Sequence, residues 1–235
     1  MLGSALALAP ASGQAHDLIT AEAAERYLAE AGAQQRITGS SSRAAQRAQA
    51  HYALGRMLDE VRDLLNRDIA THGKVQGLPS EYLVAELQAR GTPLATEAGT
   101  RRFPANLHHY REALRLAPDG PVAGDAAFRL LQGYFYDSFV DDPLSPRNQT
   151  WTQLEQQLQI GERFLARYPA HPDREEAEFI VAVHYLQAAR SAPQPAARTR
   201  YGSKAREAFE AFRVRYPDSL RVSAVEVLLE TLGPK

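Results

Sequence analysis

The sequence contains no cysteine, which excludes disulfide bonds, thiolate metal sites and a cysteine nucleophile. It also has no excess of positive charge, because 27 Lys and Arg residues stand against 28 Asp and Glu residues. This balance argues against a protein dedicated to nucleic-acid binding. No run reaches the roughly 20 apolar residues that a membrane-spanning helix needs. What remains is a chain of 235 residues, 44% of them hydrophobic, which is enough to bury a core.

The common sequence signatures of enzymes are missing as well. The chain has no G-x-x-x-x-G-K-[ST] phosphate loop, no G-x-G-x-x-G dinucleotide motif, no H-E-x-x-H zinc motif and no G-x-S-x-G nucleophile elbow. The sequence therefore predicts a protein that is not an enzyme and that uses no cofactor.

The N-terminus is small and apolar. Residues 2–15 carry no charge, and Gly13-Gln14-Ala15 places small residues at the two positions that a signal peptidase reads. This pattern predicts a signal-peptide-like segment over residues 1–15 and an exported protein. The alternative is an alanine-rich tail on a cytoplasmic protein.

Helical periodicity dominates the rest of the chain, with apolar residues recurring at steps of three and four. No stretch alternates apolar and polar residues as a half-buried strand would, so we expect an all-α protein without a sheet. The predicted helices cover about 20–35, 43–71, 80–90, 105–117, 122–140, 151–168, 173–190, 198–215 and 219–232.

Local signals mark several helix ends. Thr150 with Gln153, and Asp173 with Glu176, have the spacing of capping boxes. The Gly-Ser-Ser-Ser sequence over residues 39–42 predicts a break after the first helix.

Three prolines anchor an internal repeat. Pro118, Pro169 and Pro217 lie 51 and then 48 residues apart, and each follows the end of a predicted helix. The residues at equal distances after the first two prolines match, as Ala126, Phe128 and Tyr134 pair with Ala177, Phe179 and Tyr185. The chain therefore divides into an N-terminal helical region over 16–104 and a three-unit array over 105–235.

The physics of this repeat predicts a stack of helix pairs. Proline cannot continue a helix, because it lacks the N–H and its ring clashes with the preceding turn. Placed after the last turn, it leads into a tight connection to an antiparallel neighbour. A helix pair that is apolar on both sides must pack against another pair, which predicts an α-solenoid.

The segments Phe164-x-x-x-Tyr168-Pro169 and Phe212-x-x-x-Tyr216-Pro217 resemble tetratricopeptide repeats. They are most similar to the lengthened version found in the outer-membrane barrel-assembly lipoprotein and in the periplasmic cell-division coordinator of the Tol–Pal system. The resemblance covers residues 105–235 and implies a right-handed superhelix that binds protein or peptide in a concave groove. It also implies a periplasmic location and an association with outer-membrane or cell-division proteins.

The same resemblance selects candidate groove residues. Matching Tyr134 and Tyr185 to the aromatic position of the family sends six neighbouring side chains toward the concave side, namely Phe128, Gln132, Tyr136, Phe179, Val183 and Gln187. Aromatic rings supply contact area there and amides pair with a partner backbone. The alternative for each position is packing between repeats.

A second hypothesis is a metal-dependent or hydrolytic enzyme that uses His108, His109 and Glu112. His108 and Glu112 are four residues apart, so one helix face would present both side chains to a metal ion. A third ligand would come from elsewhere, with Asp141 or Asp142 as candidates, and the competing interpretation is a pair of surface histidines. A further histidine, His184, is expected to be a packed and hydrogen-bonded core residue.

Overall fold

The computed structural model describes residues 19–41, 43–72, 74–75, 77–92, 94, 103–138 and 150–233, without the side chains of residues 136–138. Within these ranges the chain forms nine α-helices and no strand, which confirms the prediction of an all-α protein. The helices are α1 (Ala21–Ser40), α2 (Ala44–His72), α3 (Leu78–Ala89), α4 (His108–Leu116), α5 (Ala123–Ser138), α6 (Trp151–Arg167), α7 (Arg174–Ser191), α8 (Pro195–Arg215) and α9 (Val222–Thr231).

Polar caps and special residues set several of these boundaries. The capping box at the start of α6 is present, because the Thr150 side chain accepts the Gln153 N–H and the Gln153 side chain accepts the Thr150 N–H. Gly91, just past α3, adopts a φ of 75°, the left-handed conformation that favours glycine. The break expected over residues 39–42 falls later than predicted, since α1 continues through Ser40.

The connectors around Pro118, Pro169 and Pro217 share one backbone geometry. The residue before each proline has φ between −120° and −146° and ψ between 60° and 76°. Its N–H bonds to the carbonyl four residues earlier, at 2.9–3.0 Å. In each connector, the N–H two residues after the proline bonds to the carbonyl just before the proline. The N–H five residues after the proline bonds to the carbonyl two residues after it, and all these distances are 3.0–3.1 Å. The three segments are therefore equivalent in local structure.

Aromatic contacts between consecutive units repeat in the same way. The ring centroid of Phe128 lies 5.8 Å from that of Phe164 in the next unit. The ring of Phe179, at the equivalent position, lies 5.9 Å from that of Phe212. Val227 takes this position in the last unit and is 59% exposed, because α9 is the last described helix. The pairing thus depends on a following unit.

The side chain two residues past the proline ties a connector to the unit before it. His171 Nδ1 accepts the Asp173 N–H at 3.2 Å, and its Nε2 lies 3.1 Å from Asp125 Oδ1. In the next connector, Ser219 Oγ donates to Glu175 at 2.6 Å and accepts the N–H two residues on. The capping box predicted at Asp173 is wrong, since its side chain makes no capping hydrogen bond.

Helix α7 is covered on more than one side. It contacts α5, α6 and α8, and its buried residues are Ala177, Ile180, Val181, Ala182, Val183, His184, Leu186, Gln187 and Ala188. Apolar side chains on more than one side of α7 are therefore buried. Neighbouring helices along the chain also contact one another from α4 to α9.

The N-terminal helices α1, α2 and α3 share a core of their own, and α2 also packs against α4. A Cβ at Gly55 would lie 2.7 Å from the Tyr110 ring, so this glycine permits the close approach. The Tyr110 hydroxyl donates to Asp59 at 2.5 Å. The division into 16–104 and 105–235 stays a prediction.

Packing between α6 and α7 leads to a stability prediction. A Cβ at Gly161 would lie 2.4 Å from Val181 Cγ2, whereas a Cβ at Gly202 in α8 meets only Ala189, at 3.9 Å. Gly161→Ala should lower the free energy of unfolding by about 1–3 kcal/mol through overpacking. Gly202→Ala should raise it by about 0.5–1 kcal/mol through helix propensity.

Urea unfolding of both variants and of the parent chain measures these two changes in the free energy of unfolding. A Gly161→Ala protein as stable as Gly202→Ala would contradict the close packing of α6 on α7.

Candidate functional site

Polar side chains link α5, α7 and the start of α9 along one surface. Arg129 Nη1 donates to Gln132 Oε1 at 2.8 Å, and Gln132 Nε2 donates to Glu176 Oε1 at 2.9 Å. Arg221 Nη2 donates to the other Glu176 oxygen at 3.1 Å. The Arg221 guanidinium carbon lies 5.8 Å from the centroid of the Phe179 ring. We call these five residues the α5–α7 face.

The predicted groove residues divide between this face and the core. Gln132 and Phe179 are half-buried members of the face. Phe128, Val183 and Gln187 are 3%, 2% and 0% exposed, so they contribute to packing between helices, which was the alternative for these positions. The side chain of Tyr136 lies outside the described residues. Sequence reasoning missed Arg129, Glu176 and Arg221. The contacts of Glu176 with Gln132 and Arg221 join residues 44 and 45 positions apart, and Arg129 enters the face through its bond to Gln132.

A cavity of about 540 Å³ opens beside the face, between α1, α2 and α5. Its charged lining residues are Glu30, Arg56, Asp59, Glu60, Asp63 and Arg129. Burial raises the pKa of Asp59, and the hydrogen bond from Tyr110 and the nearby Arg62 charge oppose this rise. Arg129 belongs to both the cavity and the face, so the two form one continuous polar surface.

The α5–α7 face combines two guanidinium groups, one carboxylate, one amide and one half-buried ring. Groups of these kinds can hydrogen-bond to the main chain and side chains of another protein. Protein interfaces commonly surround an aromatic anchor with such polar groups. Peptide recognition relies on the same groups.

The second predicted site, His108 with His109 and Glu112, gains an unpredicted member from α2. His51 Nδ1 lies 3.0 Å from His109 Nδ1. The ring centroid of His109 lies 5.3 Å from that of His51 and 5.2 Å from that of His108, and the His51 and His108 centroids are 6.3 Å apart. We call His51, His108 and His109 the histidine cluster. Asp141 and Asp142 lie outside the described residues.

The surroundings of His51 and His109 favour neutral rings. Burial, with the neighbouring histidines, lowers the pKa of His109 to about 4, and burial also lowers the pKa of His51. Glu112 accepts three hydrogen bonds from Arg115, the shortest 2.7 Å, and these lower the pKa of its carboxyl group. Among the described residues, no three His, Asp or Glu side chains stand ready as ligands of one metal ion.

His184 is buried as expected but is not hydrogen-bonded as expected. Its side chain is 0% exposed, and neither ring nitrogen has a hydrogen-bond partner in the described part of the chain. Its ring centroid lies 5.7 Å from that of Phe135 in an edge-on arrangement. Burial lowers the pKa of His184 to about 3, so the ring is neutral in the folded protein at pH 7.

Comparison with known proteins yields no assignment, since no family model, curated protein or solved structure matches the chain. Within the ranges that the structure covers, none of the helices combines the length and apolarity required to cross a bilayer.

The unpartnered ring of His184 generates a stability prediction. His184→Leu removes two buried polar atoms at similar volume and should raise the free energy of unfolding at pH 7 by about 1–3 kcal/mol. The unfolded chain binds a proton at His184 near pH 6.5, whereas the folded chain does so only near pH 3. The stability of the parent protein therefore falls as the pH drops from about 6.5 toward 3. The His184→Leu variant should not show this decrease.

Denaturant unfolding of parent and variant at several pH values from 7 to 4 measures the effect. The advantage of the variant should grow by up to about 1.4 kcal/mol per pH unit. A difference that stays constant across this range would refute the neutral, unpartnered ring.

Proposed function

We propose that this chain is a non-enzymatic, tetratricopeptide-like scaffold of the periplasm that binds a protein or peptide partner on the α5–α7 face. The observation that carries the proposal is the threefold recurrence of one connector, with similar dihedral angles and equivalent hydrogen bonds at Pro118, Pro169 and Pro217. Repeated units of this kind act by presenting an extended surface.

The recurrence supports a short solenoid. Equal connectors turn successive helices in the same manner, and the Phe128–Phe164 and Phe179–Phe212 contacts recur at nearly equal distances. Neighbour-to-neighbour contacts from α4 to α9 are the pattern that stacked helix pairs produce.

The chemistry of the face supports binding. Its amide and charged groups are held in fixed positions by the Arg129–Gln132–Glu176–Arg221 hydrogen bonds, so little side-chain entropy is lost when a partner binds. Phe179 adds an aromatic ring beside them. The cavity lengthens the surface toward α1 and α2.

The cellular role in this proposal rests on the family resemblance and on the signal-like residues 1–15. A scaffold of this type would serve envelope assembly or cell division, with outer-membrane or cell-division proteins as partners. The alternative is a cytoplasmic adaptor that uses the same face.

Site-specific photo-crosslinking tests the binding face. A benzoylphenylalanine at position 132 or 179, introduced into the full chain in cells, should give the same partner adduct on irradiation. Position 156 on α6, an exposed glutamine, is the matched control and should not give that adduct.

If both test positions give no adduct, or only the adducts seen at 156, the binding face is wrong. Circular dichroism of each purified variant checks that the helices remain intact.

The location has its own test. We expect the protein isolated from cells to begin after Ala15, because Gly13-Gln14-Ala15 fits the cleavage pattern. N-terminal sequencing gives the answer directly, and retention of residues 1–15 would favour the cytoplasmic alternative.

A further inference from the structure

We infer that His51, His108 and His109 bind one transition-metal ion of the zinc, nickel or copper type, which joins α2 to α4. This inference goes beyond the proposed function and does not depend on it. Imidazole nitrogen is a preferred ligand of these ions, whereas magnesium and calcium require oxygen ligands.

The distances in the histidine cluster are close to those of a metal site. With metal–nitrogen bonds of about 2.0–2.1 Å in a tetrahedral arrangement, two ligand nitrogen atoms lie about 3.3 Å apart and two ring centroids about 5.2 Å apart. The Nδ1 atoms of His51 and His109 are 3.0 Å apart. The three centroid distances are 5.2, 5.3 and 6.3 Å.

Two of the three donors already point at each other. The short distance between the Nδ1 atoms means that one ring donates a proton to the lone pair of the other. When a metal ion binds at both Nδ1 atoms, the donating ring carries its proton on Nε2 instead, so both rings stay neutral and each gives an Nδ1 lone pair to the ion. The hydrogen bond therefore holds the two rings near their ligand positions.

The third donor requires only a side-chain rotation. His108 stands edge-on to both partners, with interplanar angles of 81° to His51 and 66° to His109. Its side chain is exposed, so a change of rotamer meets no buried packing. In the present orientation, no three His, Asp or Glu side chains of the described residues converge on one point.

The charges around the cluster are mixed. Glu112 supplies the nearest carboxylate, and its bonds to Arg115 hold it one helical turn from His108. Arg47 and Arg115 also act on His51 and oppose a cation. The Arg47 side chain donates to the Ser41 carbonyl at 3.1 Å, so it is held away from the ligand positions. We therefore expect binding through the imidazoles, with Glu112 and water completing the shell.

Bound metal would connect the N-terminal helices to the repeat units. His51 lies near the N-terminal end of α2, which shares its core with α1 and α3. His108 and His109 begin α4, the first helix of the repeat region.

Isothermal titration of the full chain without a histidine tag, using zinc chloride and separately nickel chloride, tests this inference. The parent protein should bind one ion per chain. His51→Ala and His109→Ala should each weaken binding at least about tenfold, because even the loss of groups that support ligands costs about 10–100-fold. His72→Ala is the matched control in α2, where His72 Nδ1 lies 2.9 Å from Asp68, and should bind like the parent.

Nuclear magnetic resonance of the ¹⁵N-labelled parent protein provides a readout that needs no variant. Zinc should shift the ring nitrogen signals of His51, His108 and His109 and leave those of His72 and His184 unchanged. Substoichiometric binding, equal affinity in the His51 and His109 variants, or shifts confined to other histidines would overturn the inference.

Discussion

Pro118, Pro169 and Pro217 each lack the N–H that another helical turn would use, so the chain must leave the helix at these points. The preceding residue closes the helix, and two short turns redirect the backbone into the next one. Because the redirection is the same three times, Phe128 and Phe179 meet their partners in the following unit at nearly equal distances. The burial of α7 and the line of polar contacts from α5 to α9 both follow from this placement.

Helix positions were largely predictable from the sequence, because they depend on local signals. Periodicity marked every described helix, and the Thr150 capping box was read from two residues three positions apart. The errors occurred where a distant or competing group decides the outcome. At α7, the Asp173 side chain makes no capping hydrogen bond, and the Asp173 N–H bonds to Nδ1 of His171. At the end of α1, periodicity alone did not show that the helix would continue through Gly39 and Ser40.

The candidate sites were less predictable, because they are made by contacts between distant segments. His51 lies 58 residues from its partner His109, and no spacing rule connects them. Gln132 was identified from its repeat position, but its bond to Glu176 depends on how two helices pack. Burial also separated residues that looked alike in the sequence. Gln187 is fully buried in α7, which contacts α5, α6 and α8, whereas Gln132 in α5 is half-buried.

Because the same connector recurs, it matters where a duplication in a gene of this kind begins and ends. A duplication that starts at one proline and stops at the next would create junctions made of the same backbone bonds as those already present. A duplication with other limits would place a helix start against a helix interior and lose the Phe–Phe pairing. Exposed Val227, at the position of Phe128 and Phe179, marks where an added unit would dock. In the proposed solenoid, growth and shortening by whole units are therefore the changes tolerated most readily.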